Sequence, residues 1–216
     1  MTWHYDNKSS NDVLRHPCDG EAWKHFDIVY PNFSVEARNV RLGLCFDGFN
    51  PYVQASNAPY SCWPIIVTPY NLTPEMCMSK PYMFFSCLIP GPFNPKAGID
   101  VFLESLIDDL KKLWSGVPTY NISRKENFMM RAMLIWTIND FPSYGMLSVW
   151  GTHRKLACPH CMEHSKAFRL HHGGKNSWFD SHRRFLLNDH AFRRNKNVFK
   201  KGEVDMDPPP PKFTPT

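Results

Sequence analysis

The chain is 216 residues long, 43% hydrophobic and 14% aromatic, with a formal net charge of +5; one domain or somewhat more can bury a core with that much apolar surface, which excludes wholesale disorder. No run approaches the roughly 18 consecutive apolar residues of a membrane span, and the opening M-T-W-H-Y-D-N-K-S-S lacks a basic-then-apolar leader, so a protein neither secreted nor membrane-embedded is expected. Seven cysteines, an odd number scattered along a long chain, fit reduced intracellular thiols better than a disulfide scaffold.

Residues 1–39 are polar and turn-rich, and Trp3, Trp23, Phe26, Tyr30 and Phe33 are spaced too irregularly to predict a helix or a strand; they read as a packed lead-in. The pattern changes at Val40. In V-R-L-G-L-C-F, Val40, Leu42, Leu44 and Phe46 alternate with Arg41, Gly43 and Cys45, which predicts a strand with one apolar face. It ends at Asp47, because D-G-F-N-P (Asp47 to Pro51) is dense in turn formers. W-P-I-I-V-T (Trp63 to Thr68), β-branched at its centre and followed by Pro69, predicts a second strand. Y-M-F-F-S-C-L-I (Tyr82 to Ile89), closed by P-G-P, predicts a third, and the three are spaced as a meander.

From Ile99 to Trp114 the apolar positions Ile99, Phe102, Leu103, Leu106, Leu110, Leu113 and Trp114 recur at three and four, with charged residues between them, which predicts an amphipathic helix. Asp100, at its start, reads as a favourable charge on the helix N-terminus. M-M-R-A-M-L-I-W-T-I (Met129 to Ile138) is almost wholly apolar, as in a strand covered on both faces or in a buried helix, and periodicity leaves both open. It too runs into an acid, Asp140, within N-D-F-P.

Residues 40–150 therefore read as an α/β core. Beyond Gly151 the composition shifts: residues 150–203 carry 12 Lys/Arg against 4 Asp/Glu, whereas residues 1–149 carry 12 against 14. A basic region at 151–203 favours a polyanion, most commonly nucleic acid, or is simply a solvated surface. Within it Arg183, Arg184, Arg193, Arg194, Lys196, Lys200 and Lys201 interleave with Phe185, Phe192 and Phe199, as on a phosphate-tracking surface; in the other reading the phenylalanines are core. Cys158 and Cys161 form a C-x-x-C, which is half of a tetrahedral zinc site, a redox pair, or a reduced metal-free pair. Residues 204–216 form a Pro-rich tail of polyproline or disordered type.

Strand, strand, strand, helix, strand, with an acid closing the first and the fourth strands, is the order of the ribonuclease H-like fold, where those two strands lie side by side. Asp47 and Asp140 would then meet and could hold hard divalent cations through oxygen. Phosphodiester chemistry uses such a pair because two metals roughly 4 Å apart stabilise both the attacking and the leaving oxygen. Aspartates at strand ends also serve as turn formers and caps. A cysteine-hydrolase reading of Cys45 finds no nucleophile motif, and His16 and His25 read as structural histidines.

The stretches R-N-V-R-L-G-L-C-F-D-G-F-N-P (Arg38 to Pro51), S-C-W-P-I-I-V-T-P-Y-N-L (Ser61 to Leu72), F-M-M-R-A-M-L-I-W-T-I-N-D-F-P-S-Y-G-M-L-S (Phe128 to Ser148) and H-R-K-L-A-C-P-H-C (His153 to Cys161), with H-R-R-F-L (His182 to Leu186) and D-H-A-F-R-R (Asp189 to Arg194), closely resemble the transposases of plant CACTA, or En/Spm-type, DNA elements. The likeness runs from about Thr2 to Val204. It implies an incomplete ribonuclease H-like (DDE transposase) core with a basic, Cys/His-containing C-terminal insertion region. It further implies a nuclear protein that cuts and joins DNA with Mg²⁺ at transposon terminal repeats, and a transposase oligomer. By motif position Asp47 is the first catalytic acid and Asp140 the second. The family's third acid, a Glu in a histidine-containing segment, has no counterpart here: the acids after Asp189 are Glu203, Asp205 and Asp207, none in a matching context. The sequence thus reads as a fragmentary copy, expected to be inactive alone; the alternative is a non-catalytic DNA-binding or interaction remnant. The resemblance also favours zinc at Cys158 and Cys161, with His160, His164, His171, His172, His182 and His190 as local substitutes for the family's two histidine ligands.

Overall fold

A computed structural model describes residues 1–9, 13–52, 60–148, 150–152, 155–158, 161–165, 167–178, 184–197, 204 and 206–209. The chain divides into two units, Met1–Ser143 and Tyr144–Thr216.

The lead-in, for which the spacing predicted neither helix nor strand, is largely helical. It forms α1 (Trp3–Asp6), α2 (Glu21–Val29) and α3 (Pro31–Ser34), with Pro31 opening α3 where its missing N–H costs nothing. These helices assemble around a side chain from outside the segment. Arg41 is 1% exposed, its guanidinium paired with Asp27 at 2.5 Å and lying over the rings of Trp23 at 4.5 Å and Phe33 at 5.2 Å. A buried cation is tolerable only when paired and hydrogen-bonded, so α2 and α3 close over it.

Arg41 belongs to β1 (Val40–Phe46), which was expected to bury one face and buries both. Val40, Leu42, Leu44 and Phe46 fill one side, and on the other Arg41 meets the helical lead-in while Gly43 meets Tyr70. A side chain at position 43 would stand 2.3 Å from the Tyr70 ring, which is why the strand carries glycine there. β1 pairs antiparallel with β2 (Trp63–Pro69), and β2 antiparallel with β3 (Phe84–Ile89). β3 begins two residues later than expected because Lys80–Tyr82, with Pro81 inside it, turns as a short 3₁₀ helix.

α4 (Ile99–Ser115) follows the predicted periodicity, burying Ile99 and Leu103 and packing on the sheet. It stops at Gly116, whose φ of +110° suits glycine. The apolar run from Met129 then divides between two sheets. β4 (Val117–Asn121) and β5 (Glu126–Met130) form a separate two-stranded ribbon, while β6 (Ala132–Ile138) joins the main sheet, parallel to β1. The break falls at Arg131, whose backbone N–H donates to Asn39 Oδ1 (2.8 Å) and whose carbonyl accepts from Val40 N (2.8 Å). The sheet order is β3-β2-β1-β6, making an α/β unit on a mixed sheet. α5 (Phe141–Ser148) follows β6. The second unit holds the short ribbon β7 (Ala167–Arg169) and β8 (Asn176–Trp178), and α6 (Ala191–Arg194). Among the described residues no helix is long and apolar enough to cross a membrane.

Candidate active site

Two acids leave the sheet together. β1 and β6 run parallel, with Cys45 opposite Ile138. Asp47 and Asp140 each lie two residues beyond that pair, past the C-terminal ends of two adjacent parallel strands. Both are exposed. Among the described residues no Lys, Arg or His forms an ion pair with either.

Each acid is held from the backbone outwards. Past Asp47 the chain is drawn to the start of β2 by paired hydrogen bonds between Phe49 and Cys62, at 2.9 and 2.8 Å. Gly48, between them, lies against the Trp63 indole: a Cβ there would come within 2.5 Å of the ring. Asp140 caps α5, its Oδ1 accepting from Ser143 N at 2.9 Å, with Pro142 in the first turn. The cap takes one carboxylate oxygen and fixes where the other is carried. Sequence reading took N-D-F-P as the end of an element, with a turn or cap at its Asp left open, and placed no helix there. The signal for more was there, since an Asp followed at the second helical position by Pro is a helix start.

A pair of unneutralised carboxylates is the donor set that Mg²⁺ takes, because the ion keeps several waters and uses one or two carboxylates. The residues present fit that ion. Among the described residues no group of three or more His, Cys, Asp or Glu is placed to hold a metal.

In the second unit Cys158 and Cys161 come together, Cys161 N donating to Cys158 Sγ at 3.4 Å. Both are buried, and burial, with the neighbouring Cys158 sulfur adding to it, pushes the Cys161 thiol up to about 11. Two sulfurs are half of a closed tetrahedral site, and no third ligand joins them among the described residues. Of the substitute histidines, His160 and His182 lie outside the described residues; His164 faces Glu163 at 3.7 Å, and His171 and His172 pack against one another.

The basic cluster is not uniform. Arg183, Lys200 and Lys201 lie outside the described residues. Arg193 is buried, donating to the carbonyls of Arg184 (3.0 Å), Leu186 (2.8 Å) and Asp207 (2.7 Å). Arg184 pairs with Asp207 at 2.6 Å. Arg194 and Lys196 are exposed, as are Phe185 and Phe192.

Fold and site together define an α/β protein that presents two carboxylates from adjacent parallel strands. A family model described as "Transposase family tnp2" matches residues 11–216, and the chain belongs to that transposase family. No curated protein matches it, and no solved structure does.

Proposed function

We propose that this chain carries the core of a DDE-type DNA transposase of the CACTA kind, a ribonuclease H-like domain in which Asp47 and Asp140 serve phosphodiester cleavage and strand transfer. The observation that carries the proposal is the parallel pairing of β1 with β6, which gives two acids distant in sequence a common end of the sheet. The sheet order β3-β2-β1-β6, with a helix in the crossover to the last strand, supports the ribonuclease H-like reading. Membership in a transposase family supports DNA as the substrate class.

Asp47 and Asp140 would hold Mg²⁺, which when bound activates a water or a 3′-hydroxyl and neutralises charge at the phosphate. The chain's own contribution is placement. The cap on α5 holds the Asp140 carboxyl by one oxygen, and the Gly48–Trp63 packing fixes the turn behind Asp47. Exposure of both acids leaves the edge open to a duplex or a displaced strand. A further oxygen donor would complete the three-carboxylate set of such sites. The rival reading, a DNA-binding remnant relying on the basic region, has less support because Arg184 and Arg193 are committed to partners within the chain.

The test is nicking of terminal-repeat DNA with Mg²⁺ by the wild-type chain, Asp47→Asn and Asp140→Asn, read beside Mn²⁺ binding by spin resonance. Ion binding in the wild type, lost in both variants, is expected, with nicking by the lone chain weak or absent for want of the third acid. Equal ion binding by all three proteins would remove the assignment.

A further inference from the structure

The β4–β5 ribbon stands apart from the main sheet, and its two faces differ. One face is formed by Val117, Thr119 and Asn121 with Met130, Phe128 and Glu126, and it is drawn toward Arg38. The Arg38 guanidinium lies 3.9 Å from the Phe128 ring centre, and donates to Glu126 at 2.6 Å and to Glu36 at 2.6 Å. With Arg131 pinned to Asn39 and Val40, this clamp fixes the ribbon at its side and at its base.

The other face is open. Pro118 pairs with Met129 and Tyr120 with Asn127, and all four are exposed. Alternation places the Arg131 side chain on the same face as Met129, and both lie along Gly116. The turn beyond carries Ile122, 80% exposed, with Arg124 and Lys125. Asn121 Oδ1 accepts from the backbone N–H groups of Ser123 and Arg124, at 3.0 and 3.2 Å, and orders the tip.

This open face carries no acid. Glu126, the ribbon's one carboxylate, is on the clamped side and held by Arg38; Arg124 stands at the limit of pairing with it, 4.0 Å away. Cations stand at both ends of the ribbon, Arg131 at the base and Lys125 at the tip, with Arg124 beside it, exposed and turned toward Glu126. They are separated by roughly 20 Å of strand, with a tyrosine and an asparagine between them. Cations flanking an acid-free polar and aromatic strip complement a polyanion, and a two-stranded ribbon is an element that a major groove about 12 Å wide admits.

We propose that the open face of the β4–β5 ribbon is a docking surface for duplex DNA, with Arg124, Lys125 and Arg131 on phosphates and Tyr120 and Asn127 toward the groove. The choice of DNA as occupant rests on the transposase reading; the surface itself does not depend on the acids. The ribbon's base joins the start of β6, whereas Asp140 follows its end, so this contact lies about 23 Å along the strand from the acids. It grips a flank of the duplex rather than the phosphate to be cut.

The test is fluorescence anisotropy with a 30-base-pair duplex, in EDTA so that cleavage plays no part, across a salt series. The Arg124→Gln/Lys125→Gln/Arg131→Gln variant is compared with a charge-matched control, Lys24→Gln/Lys80→Gln/Lys96→Gln, all three exposed and elsewhere on the first unit. The ribbon variant is expected to bind at least about tenfold more weakly and to lose about 2 to 3 from the slope of log K against log salt, while the control stays near wild type. Circular dichroism and melting unchanged in both keep folding out of the comparison. Equal weakening by the control, no weakening by the ribbon variant, no duplex binding by the wild type, or a changed oligomeric state in place of changed DNA affinity would each overturn the proposal. Loss of Mn²⁺ binding in Asp47→Asn with duplex binding intact bears on the acids alone, so the two assignments fail separately.

Discussion

Acid destabilises the first unit through His4. The imidazole is 4% exposed and its Nε2 lies 3.3 Å from Arg41 Nη1, a group that can only donate, so the folded state needs a neutral ring with its lone pair on Nε2. Burial, and secondarily the Arg41 charge, lower its pKa from 6.5 to about 4, while the Asn71 backbone and the Asp27 carboxylate pull weakly the other way. Below pH 6.5 the unfolded chain binds a proton at His4 that the folded chain refuses until about pH 4. The unfolded state therefore holds more protons throughout that window, and stability falls as pH falls. At about 1.4 kcal/mol per unit, the full window removes roughly 3 kcal/mol, a large part of the stability of an ordinary domain.

The perturbation that isolates this effect is His4→Phe, which keeps a ring beside Trp23, 5.1 Å away in the wild type, and cannot titrate. Urea denaturation followed by tryptophan fluorescence gives the unfolding free energy of both proteins between about pH 7 and about pH 4.5. Other acids and His16 titrate in both and cancel in the difference. Relative to the variant, the wild type should lose roughly 2 to 3 kcal/mol on acidification over that range. Parallel pH profiles for the two proteins, or a relative gain by the wild type in acid, would refute the reasoning.

Three further outcomes follow from packing and hydrogen bonding. Gly43→Ala drives a methyl group into the buried Tyr70 ring and should cost about 1–3 kcal/mol in urea denaturation; a change under about 0.5 kcal/mol would show that the ring moves aside. Asp140→Ala should lower stability by about 1 kcal/mol through loss of the α5 cap, while Asp140→Asn keeps most of the cap; Mn²⁺ binding should weaken in both, and a variant that retains it would separate Asp140 from the ion site. Arg193→Gln leaves the carbonyls of Arg184, Leu186 and Asp207 short of their donor, and should make residues 144–216 sensitive to limited proteolysis; Arg194→Gln and Lys196→Gln should not, and equal sensitivity in all three would contradict the burial of Arg193.

What the sequence showed directly was whatever repeats locally. β1 is bounded as its alternation predicts, and α4 differs from its periodicity by a single residue, because one buried stripe is written into consecutive side chains. The lead-in helices were not legible, because what organises them is Arg41, a residue of β1 whose need for Asp27, Trp23 and Phe33 has no trace in local periodicity. The β4–β5 ribbon escaped for two reasons. β4 contains Pro118, which argues against a strand, and β5 adjoins β6 as one apolar run, divided only by the hydrogen bonds of Arg131 to Asn39 and Val40. At the candidate site, the two acids could be picked out from where their strands stop. The burial of Arg193 could not, since it depends on carbonyls up to fourteen residues away.

The same topology that pairs the acids explains how the ribbon can be present without disturbing them. Parallel strands place all their C-terminal ends at one edge of a sheet and their N-terminal ends at the other, so a crossover that returns to start β6 beside β1 must arrive at the edge remote from Asp47 and Asp140. An insertion in that crossover, between α4 and β6, emerges at the N-terminal end of the β1–β6 pair, where Val40 lies opposite Ala132, with the register shift after Leu42 and the acid-bearing ends further along. The ribbon can therefore be lengthened, recharged or removed at its tip while the strand ends that carry the acids stay in register. That makes the tip cations separable from the acids in experiment: Arg124 and Lys125 should alter how tightly DNA is held without altering which end of the sheet acts on it.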